Sequence, residues 1–159
     1  APKGVCIEHC SIVNYASYAA ERFGVADGHG SVLCSSISFD LGLTALYPAL
    51  ICGRRLYLSS EGNSKLDWRQ AIVDCNNLSP VKLTPSHLEA LRGILPVEAM
   101  AGRICTLVVG GETLRRAQIE IWQTYAPETR IFNHYGPTET TVGCVVYEIK
   151  KSAEHSEPI

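Results

Sequence analysis

Apolar residues recur along the chain with two different spacings, and segments of the two kinds alternate. A first helix is predicted by apolar residues that recur every three or four positions, namely Ile12, Tyr15, Ala16, Ala19 and Phe23. The same spacing predicts four further helices, at Leu43–Leu50, Leu66–Cys75, His87–Ile94 and a segment carrying Leu114, Ala117, Ile121, Trp122 and Tyr125.

Short apolar runs rich in β-branched residues separate these helices and predict strands. They are Ser31–Ile37, Arg55–Leu58, Val81–Thr84, Cys105–Val109, Arg130–Phe132 and Cys144–Ile149. The run 105–109 is apolar at nearly every position, which is typical of a strand buried on both faces. The alternation predicts an α/β fold, a mostly parallel sheet flanked by helices with right-handed connections. We expect the charged tail Lys150–Pro158 to be mobile.

Composition narrows the class of protein. The chain has 159 residues, of which 46% are hydrophobic and 19% charged, as in an ordinary globular domain with one core. A net charge of −2 gives no electrostatic footprint for nucleic acid or an anionic membrane, so neither is an expected partner. The longest apolar run, 43–52, is interrupted by Pro48 and is too short to span a bilayer.

Seven cysteines are present, without a Cys-x-x-Cys pair. Because most lie in apolar runs, we expect buried free thiols in a reducing, cytoplasmic environment. Cys6 and Cys10 are four residues apart with His9 between them, but a metal site needs more ligands than these.

The segment 133–141, Asn-His-Tyr-Gly-Pro-Thr-Glu-Thr-Thr, carries the most chemistry. Gly136 and Pro137 predict a turn. Tyr135 offers a flat face on which a base could stack, Thr138 can bond a phosphate oxygen, and Glu139 is a hard oxygen ligand suited to Mg²⁺. The alternative is that Thr138 to Thr141 cap a following helix.

Other polar residues also follow predicted strands: Asp40, Lys82, the Gly110-Gly111-Glu112 segment and His134. The carboxyl ends of parallel strands meet at one edge of a sheet, where ligands bind, so these side chains should converge. Simpler interpretations exist for three of them. Asp40 could cap the 43–50 helix, Lys82 could reach solvent from a strand end, and His134 could be structural.

Taken together, these motifs resemble the amino-acid adenylation domains of nonribosomal peptide synthetases, within the adenylate-forming enzymes. The 133–139 segment is similar to that family's adenine- and magnesium-binding motif. Pro2-Lys3-Gly4-Val5 resembles the tail of its phosphate loop, Ser38-Phe39-Asp40 its Phe-Asp motif, and the 109–114 segment its Gly-Glu-x-Leu motif. The four follow in the family's order across essentially the whole chain.

The resemblance implies a substrate pocket made of Asp40, Leu41, Thr44, Lys82, Val108, Gly110, His134, Val142 and Gly143. In it, Asp40 binds the substrate's α-ammonium group. The residue types are very similar to the set that family members use for aspartate. Lys82 supplies a fixed cation and His134 a hydrogen-bond donor, whereas a Glu in place of His134 would suit asparagine and repel a carboxylate. The set does not separate aspartate from β-methylaspartate.

The resemblance also implies the reaction, in which an amino acid and ATP give aminoacyl-AMP and pyrophosphate. The aminoacyl group then passes to the phosphopantetheine of a carrier domain, beside a condensation domain. Nucleotide contacts fall to Gly111, Asn133, Tyr135, Gly136 and Thr138, catalysis to Thr138 and Glu139, and the Mg²⁺ to Glu139. Lys3 could neutralise phosphate charge, while His9 and Asn14 are interpreted as structural.

By the same resemblance, residues 1–159 form a partial adenylation domain within the large N-terminal lobe. The main part of the phosphate loop and the C-terminal lobe are missing, so we expect the isolated chain to form adenylate inefficiently. Two alternatives stay open. One is an acyl- or aryl-CoA ligase of the same superfamily, which would have no use for Asp40, and the other is a fragment that only binds ligand.

Overall fold

A computed structural model describes residues 4–58 and 67–150, with Asp67 described by its backbone alone. The α-helices are α1 His9–Arg22, α2 Leu43–Ile51, α3 Asp67–Asp74, α4 Pro85–Arg92 and α5 Arg116–Tyr125. The strands are β1 Gly30–Leu33, β2 Arg55–Leu58, β3 Leu78–Leu83, β4 Thr106–Gly110, β5 Arg130–Tyr135 and β6 Val145–Glu148.

The strands form one sheet in the order β2-β1-β3-β4-β5-β6. The first five strands in this order are parallel, and β6 pairs antiparallel with β5. The predicted mostly parallel α/β sheet is therefore confirmed. Strands β3 and β4 are buried along their whole length, as expected of central strands covered by helices on both faces.

Alternation along the strands divides the interior into two cores. On one face, Val81, Leu83, Leu107, Val109 and Ile131 pack into the larger cluster beneath α3, α4 and α5. On the other face, a smaller cluster joins the sheet to α1, through Tyr15, Ala19, Phe23, Val108, Phe132 and Val142. At the carboxyl ends of these strands, the even-numbered positions 82, 108, 110, 132 and 134 thus lie on the side of the smaller cluster, whereas Leu78 at the start of β3 belongs to the larger one.

Several predicted boundaries are wrong, each for a local reason. The strand predicted at 31–37 ends at Leu33, because the Ser36 carbonyl and hydroxyl accept hydrogen bonds from the backbone of Phe39 and Ser38 in a turn. The strand predicted at 81–84 begins at Leu78 and excludes Thr84, whose hydroxyl caps α4. The strand predicted at 130–132 extends to Tyr135 because β6 pairs with it.

The prediction that the cysteines are mostly buried is also wrong. All seven are free thiols, but only Cys34 is buried, and Cys6, Cys10 and Cys144 are exposed. Apolar sequence context fails here because several lie at element ends rather than inside strands. No helix in the described ranges combines the length and the apolar character of a membrane span. The predicted mobile tail lies almost wholly outside the described residues, as does Lys3.

Candidate functional site

Four residues predicted from the sequence to form a ligand site lie at the carboxyl edge of four adjacent strands. Asp40 follows β1, Lys82 lies near the end of β3, Gly110 ends β4, and His134 lies near the end of β5. Register sets their neighbours, since Lys82 pairs with Val108 and Gly110 pairs with His134. Cross-strand partners share a face, so the positions 82, 108, 110 and 134 lie on the α1 side of the sheet.

Lys82 and His134 form a buried pair at the centre of this face. Each is 3% exposed, and the Lys82 Nζ lies 2.7 Å from the His134 Nδ1. Lys82 therefore does not reach solvent, which rules out that simpler interpretation. An ammonium can only donate, so while Lys82 is charged, Nδ1 accepts and the ring hydrogen sits on Nε2. Nε2 is buried and has no hydrogen-bond partner among the described residues.

Both basic groups of the pair are shifted toward their neutral forms. Burial lowers the pKa of Lys82 to about 7, against the opposing field of Asp40. Burial, reinforced by the Lys82 charge, lowers the pKa of His134 to about 3. The backbone of Gly143 acts in the opposite direction and raises the His134 pKa. It does so without making a hydrogen bond of normal geometry to Nε2. The pair therefore carries at most one positive charge near neutral pH, and that charge is on Lys82.

We expect the stability of the chain to fall in acid because of His134. Between about pH 3 and pH 6.5 the unfolded chain binds a proton at this residue and the folded chain does not, so the unfolding free energy rises with pH across this window. One group contributes at most about 1.4 kcal/mol per pH unit. Urea unfolding at pH 4, 5, 6 and 7 should show this dependence, and His134→Gln should flatten it. The exposed His29, replaced by Gln, serves as the control, and a slope that His134→Gln leaves unchanged would contradict the assignment.

Two glycines make room for the pair. A methyl group at Gly143 would overlap the His134 imidazole. One at Gly110 would overlap the His134 carbonyl and lie 2.8 Å from the Lys82 Nζ. Both positions belong to the predicted pocket, and the structure gives each a steric reason to be glycine.

We expect Gly143→Ala to destabilise the chain by about 1–3 kcal/mol, because the imidazole must leave its site or the backbone must shift. The measurement is the unfolding free energy from urea titration. Gly93→Ala is the matched control, because an added Cβ there meets nothing closer than the Ala90 carbonyl at 3.8 Å. Equal effects of the two substitutions would contradict the predicted contact.

Asp40 begins a short 3₁₀ helix, Asp40–Gly42, directly before α2. Its side chain caps neither that helix nor α2, whose N-cap position is Gly42, so the capping alternative is wrong. The Oδ2 atom is buried and has no hydrogen-bond partner in the described part of the chain. A buried carboxylate oxygen without a partner is costly, and a bound cationic group would satisfy it.

Thr44, a predicted pocket residue, is fully buried and its Oγ1 lies 2.7 Å from the Tyr15 hydroxyl. The Tyr15 ring also lies 6.0 Å from the His134 ring. Sequence reasoning placed Tyr15 only on the core face of its helix. A signal was available, because a tyrosine in a core usually finds a partner for its hydroxyl.

Leu41 packs toward the nucleotide-side motif after β4. Its Cδ1 lies 3.1 Å from where a Cβ on Gly111 would stand, and Gly111 has φ +85°, which favours glycine. The next residue, Glu112, accepts hydrogen bonds from the Ser86 hydroxyl at 2.6 Å and the Ser86 amide at 3.1 Å. These bonds lower the Glu112 pKa and tie the segment to the start of α4.

The segment after β5 folds back on itself. Gly136 approaches Gly143 so closely that a Cβ would lie 2.5 Å from the Gly143 Cα, and the Cys144 amide donates to the Tyr135 carbonyl at 3.0 Å. Between them, Thr138–Thr140 form a single 3₁₀ turn. The helix-capping alternative is therefore wrong, because no α-helix follows within the described range that ends at residue 150.

This turn presents its polar side chains to solvent. Tyr135 is 70% exposed, and Thr138 and Glu139 are also exposed, while Asn133 is half-buried beneath them. Their role in nucleotide binding stays a prediction.

The two residues that close the segment, Thr141 and Val142, have φ values of 65° and 68°. Left-handed backbone is unusual for a β-branched residue, and such strain gathers at functional sites. This backbone places Val142 in the smaller core cluster with Val108, another predicted pocket position.

A cleft of about 400 Å³ opens between α1 and the 140–146 segment, with Tyr15, Thr141 and Gly143 in its wall. Asn14 also lines it and His9 is exposed, so their structural role stays a prediction. Within the described ranges, no three His, Cys, Asp or Glu side chains group together as a metal site would require.

Residues 1–158 match the family of AMP-binding enzymes. Tyrocidine synthase 3 of Brevibacillus parabrevis is 34% identical over 161 residues, which is 99% of this chain and 2% of that protein. Bacitracin synthase 3 of Bacillus licheniformis is 38% identical over 150 residues, 92% of this chain and 2% of the relative. The chain thus spans a small part of the relatives it matches.

Solved structures share the fold. A nonribosomal peptide synthetase, FmoA3, in its alpha-methyl-L-serine-AMP bound form, superposes with a TM-score of 0.83 at 22% identity, over 95% of this chain and 17% of that one. The Klebsiella oxytoca NpsA N-terminal subdomain, in complex with anthranilyl-AMSN, gives a TM-score of 0.80 at 21% identity, over 100% of this chain and 41% of that one.

Proposed function

The chain belongs to the AMP-binding enzyme family, and from that premise we propose that it is part of an adenylation domain that activates aspartate for nonribosomal peptide synthesis. The reaction joins the aspartate α-carboxylate to the α-phosphorus of ATP, and the bond from that phosphorus to pyrophosphate breaks. The aspartyl group is then transferred to the phosphopantetheine thiol of a carrier domain, with AMP released. Carrier and condensation domains are the expected neighbours in a cytoplasmic synthetase.

One observation carries the choice of substrate, the buried Lys82–His134 pair beside an unpartnered Asp40 oxygen. An amino acid supplies an ammonium group for Asp40, and an acidic side chain supplies a carboxylate for Lys82. The lowered pKa of Lys82 reports the cost of burying its charge with no close anion, and a bound carboxylate would offset that cost. The His134 Nε2–H, which has no hydrogen-bond partner among the described residues, would be available to a polar group of the substrate that reached it.

Competing substrates fit this charge arrangement less well. An acyl or aryl acid without an amine leaves the Asp40 oxygen unpaired, and an apolar amino acid leaves the Lys82 charge unpaired. Sites that hydrogen-bond their substrate reject analogues lacking the partner group by about 10⁴-fold or more. Asparagine satisfies Asp40 but brings no charge to Lys82.

The chain's nucleotide side suits the other reactant. Tyr135 offers an exposed ring for the adenine, and Asn133, Gly111 and the Gly136 backbone would supply its further contacts. Thr138 would contact the α-phosphate, and Glu139 would hold Mg²⁺ with one carboxylate, since that ion usually takes its remaining ligands from phosphate and water. When bound, Mg²⁺ neutralises phosphate charge. The substrate itself supplies the nucleophile, so these residues act by positioning and charge stabilisation.

The test is ATP–pyrophosphate exchange by the intact parent protein with aspartate, asparagine, glutamate and β-methylaspartate. We expect aspartate to give the dominant signal. If asparagine or an apolar amino acid dominated, adenylation would stand and the role given to Lys82 and His134 would fall. Exchange with none of them, or only with acids lacking an amine, would overturn the proposal.

A further inference from the structure

We propose that Tyr15 is a positioning residue for substrate selection: its hydroxyl fixes the Thr44 hydroxyl, and its ring supports the imidazole of His134. The proposal rests on the adenylation function proposed above and adds a residue from α1 to the pocket.

The Tyr15–Thr44 pair has one hydroxyl hydrogen that is not used within the pair. The Tyr15 and Thr44 hydroxyls lie 2.7 Å apart and own one hydrogen each, so their mutual hydrogen bond uses one and leaves one to donate elsewhere. Thr44 is fully buried and Tyr15 is 5% exposed, so the remaining hydrogen lies in a largely buried environment. A buried donor of this kind needs an acceptor, and the substrate side chain supplies one.

The surroundings keep Tyr15 a neutral donor. Burial raises the pKa of Tyr15 well above its usual value, and the nearby Asp40 carboxylate raises it further, while the Thr44 hydrogen bond opposes the shift. Because Asp40 is the proposed anchor for the substrate ammonium group, its effect on Tyr15 shows that the Tyr15–Thr44 pair lies near that anchor. Asp40 and Thr44 are four residues apart on a continuous helical segment, so both lie on its pocket side.

The ring of Tyr15 contributes separately. It lies 6.0 Å from the His134 ring on one side, and Phe23 lies 6.2 Å from the same ring at 85°. The imidazole is therefore held by two aromatic rings, and Gly143 lies against its Nε2 side. These contacts restrict its rotation and keep Nδ1 directed at Lys82. Tyr15 thus links the two polar groups, Thr44 and His134, that face a substrate side chain.

The experiment is a double-mutant cycle in the intact parent protein, read by ATP–pyrophosphate exchange with its preferred amino acid. Tyr15→Phe keeps the ring and removes the hydroxyl, and Thr44→Val keeps the shape and removes the other hydroxyl. We expect each to raise KM for the amino acid about three- to tenfold, with kcat and the KM for ATP unchanged within about twofold. The double variant should be no worse than the poorer single variant, because both remove one shared interaction.

Two further variants separate positioning from folding. Tyr18→Phe makes the same chemical change one turn along α1, at a residue 46% exposed, and should leave KM unchanged. Thr44→Ser retains the hydroxyl and should raise KM less than Thr44→Val does. Thermal unfolding checks that every variant folds.

Additive effects in the cycle, no effect of Tyr15→Phe, or equal changes in the two KM values would overturn the role of Tyr15 while leaving the proposed function intact. The wild-type substrate profile tests that function by itself. If the preferred amino acid is not aspartate, the same cycle is measured with the amino acid that is preferred. If the wild type exchanges with no amino acid, both proposals are overturned.

Discussion

Replacing Lys82 with methionine in the intact protein is expected to lower kcat/KM for aspartate by roughly 10²- to 10⁴-fold, the equivalent of about 3–5 kcal/mol, and to affect asparagine by less than about tenfold. Lys82 is 3% exposed and lies on the pocket face of β3, with its Nζ 2.7 Å from His134. Without it, the carboxylate of bound aspartate is buried with no cation. Asparagine loses only one neutral hydrogen-bond partner, which costs much less.

The same substitution should not weaken the fold. A buried lysine without a close anion is a cost to the empty protein, so an apolar side chain of similar length is expected to leave the unfolding free energy unchanged or to raise it. The matched control is Arg92→Met, which removes an exposed cation from α4. Equal losses for aspartate and asparagine, or a loss that follows the melting temperature, would argue against a charge role for Lys82.

Asp40→Asn is expected to lower kcat/KM by about 10²- to 10⁴-fold for every amino acid the protein accepts. The substitution keeps the size of the side chain and removes the charge that would pair with an α-ammonium group, which all these substrates share. The unpartnered Oδ2 atom is the structural basis of this expectation. Kinetics with aspartate and asparagine measure it, and the losses should agree within about twofold.

The control is Asp74→Asn, which alters an exposed carboxylate on α3 that accepts a hydrogen bond from Gln70. It should leave the kinetics unchanged. A loss confined to aspartate would place Asp40 at the side chain of the substrate and would contradict its role as the ammonium anchor.

The sequence predicted the elements and the edge at which they meet, because both depend on local periodicity. The run 105–109 was predicted to be a strand buried on both faces, and β4 is buried throughout. Boundaries failed where a side chain competes with the regular backbone, as Ser36 does after β1 and Thr84 before α4. Such competition depends on single hydrogen bonds that a hydrophobic pattern does not report.

The candidate pocket was predicted position by position, but its internal contacts were not. The sequence indicated that Lys82 and His134 would both face an acidic substrate. It did not indicate that they bond each other through Nδ1, which leaves Nε2 as the only ring donor. The partnership of Tyr15 with Thr44 joins residues 29 positions apart and depends on how α1 packs on α2, which periodicity does not determine.

Positions that face the candidate pocket and positions that face the larger core alternate along β3, β4 and β5, and this limits which substitutions can alter the pocket alone. At the carboxyl ends of these strands, positions 82, 108, 110 and 134 face the candidate pocket, while odd-numbered positions such as Val81, Leu107 and Ile131 build the larger core. Pocket residues and core residues thus alternate along the same strands. A substitution at position 82 or 134 changes the pocket face of its strand and leaves the side chains of the larger core in place. Gly110 and Gly143 are exceptions, since any side chain there meets His134. A library aimed at new amino acids should therefore vary 82, 108 and 134 and hold both glycines constant.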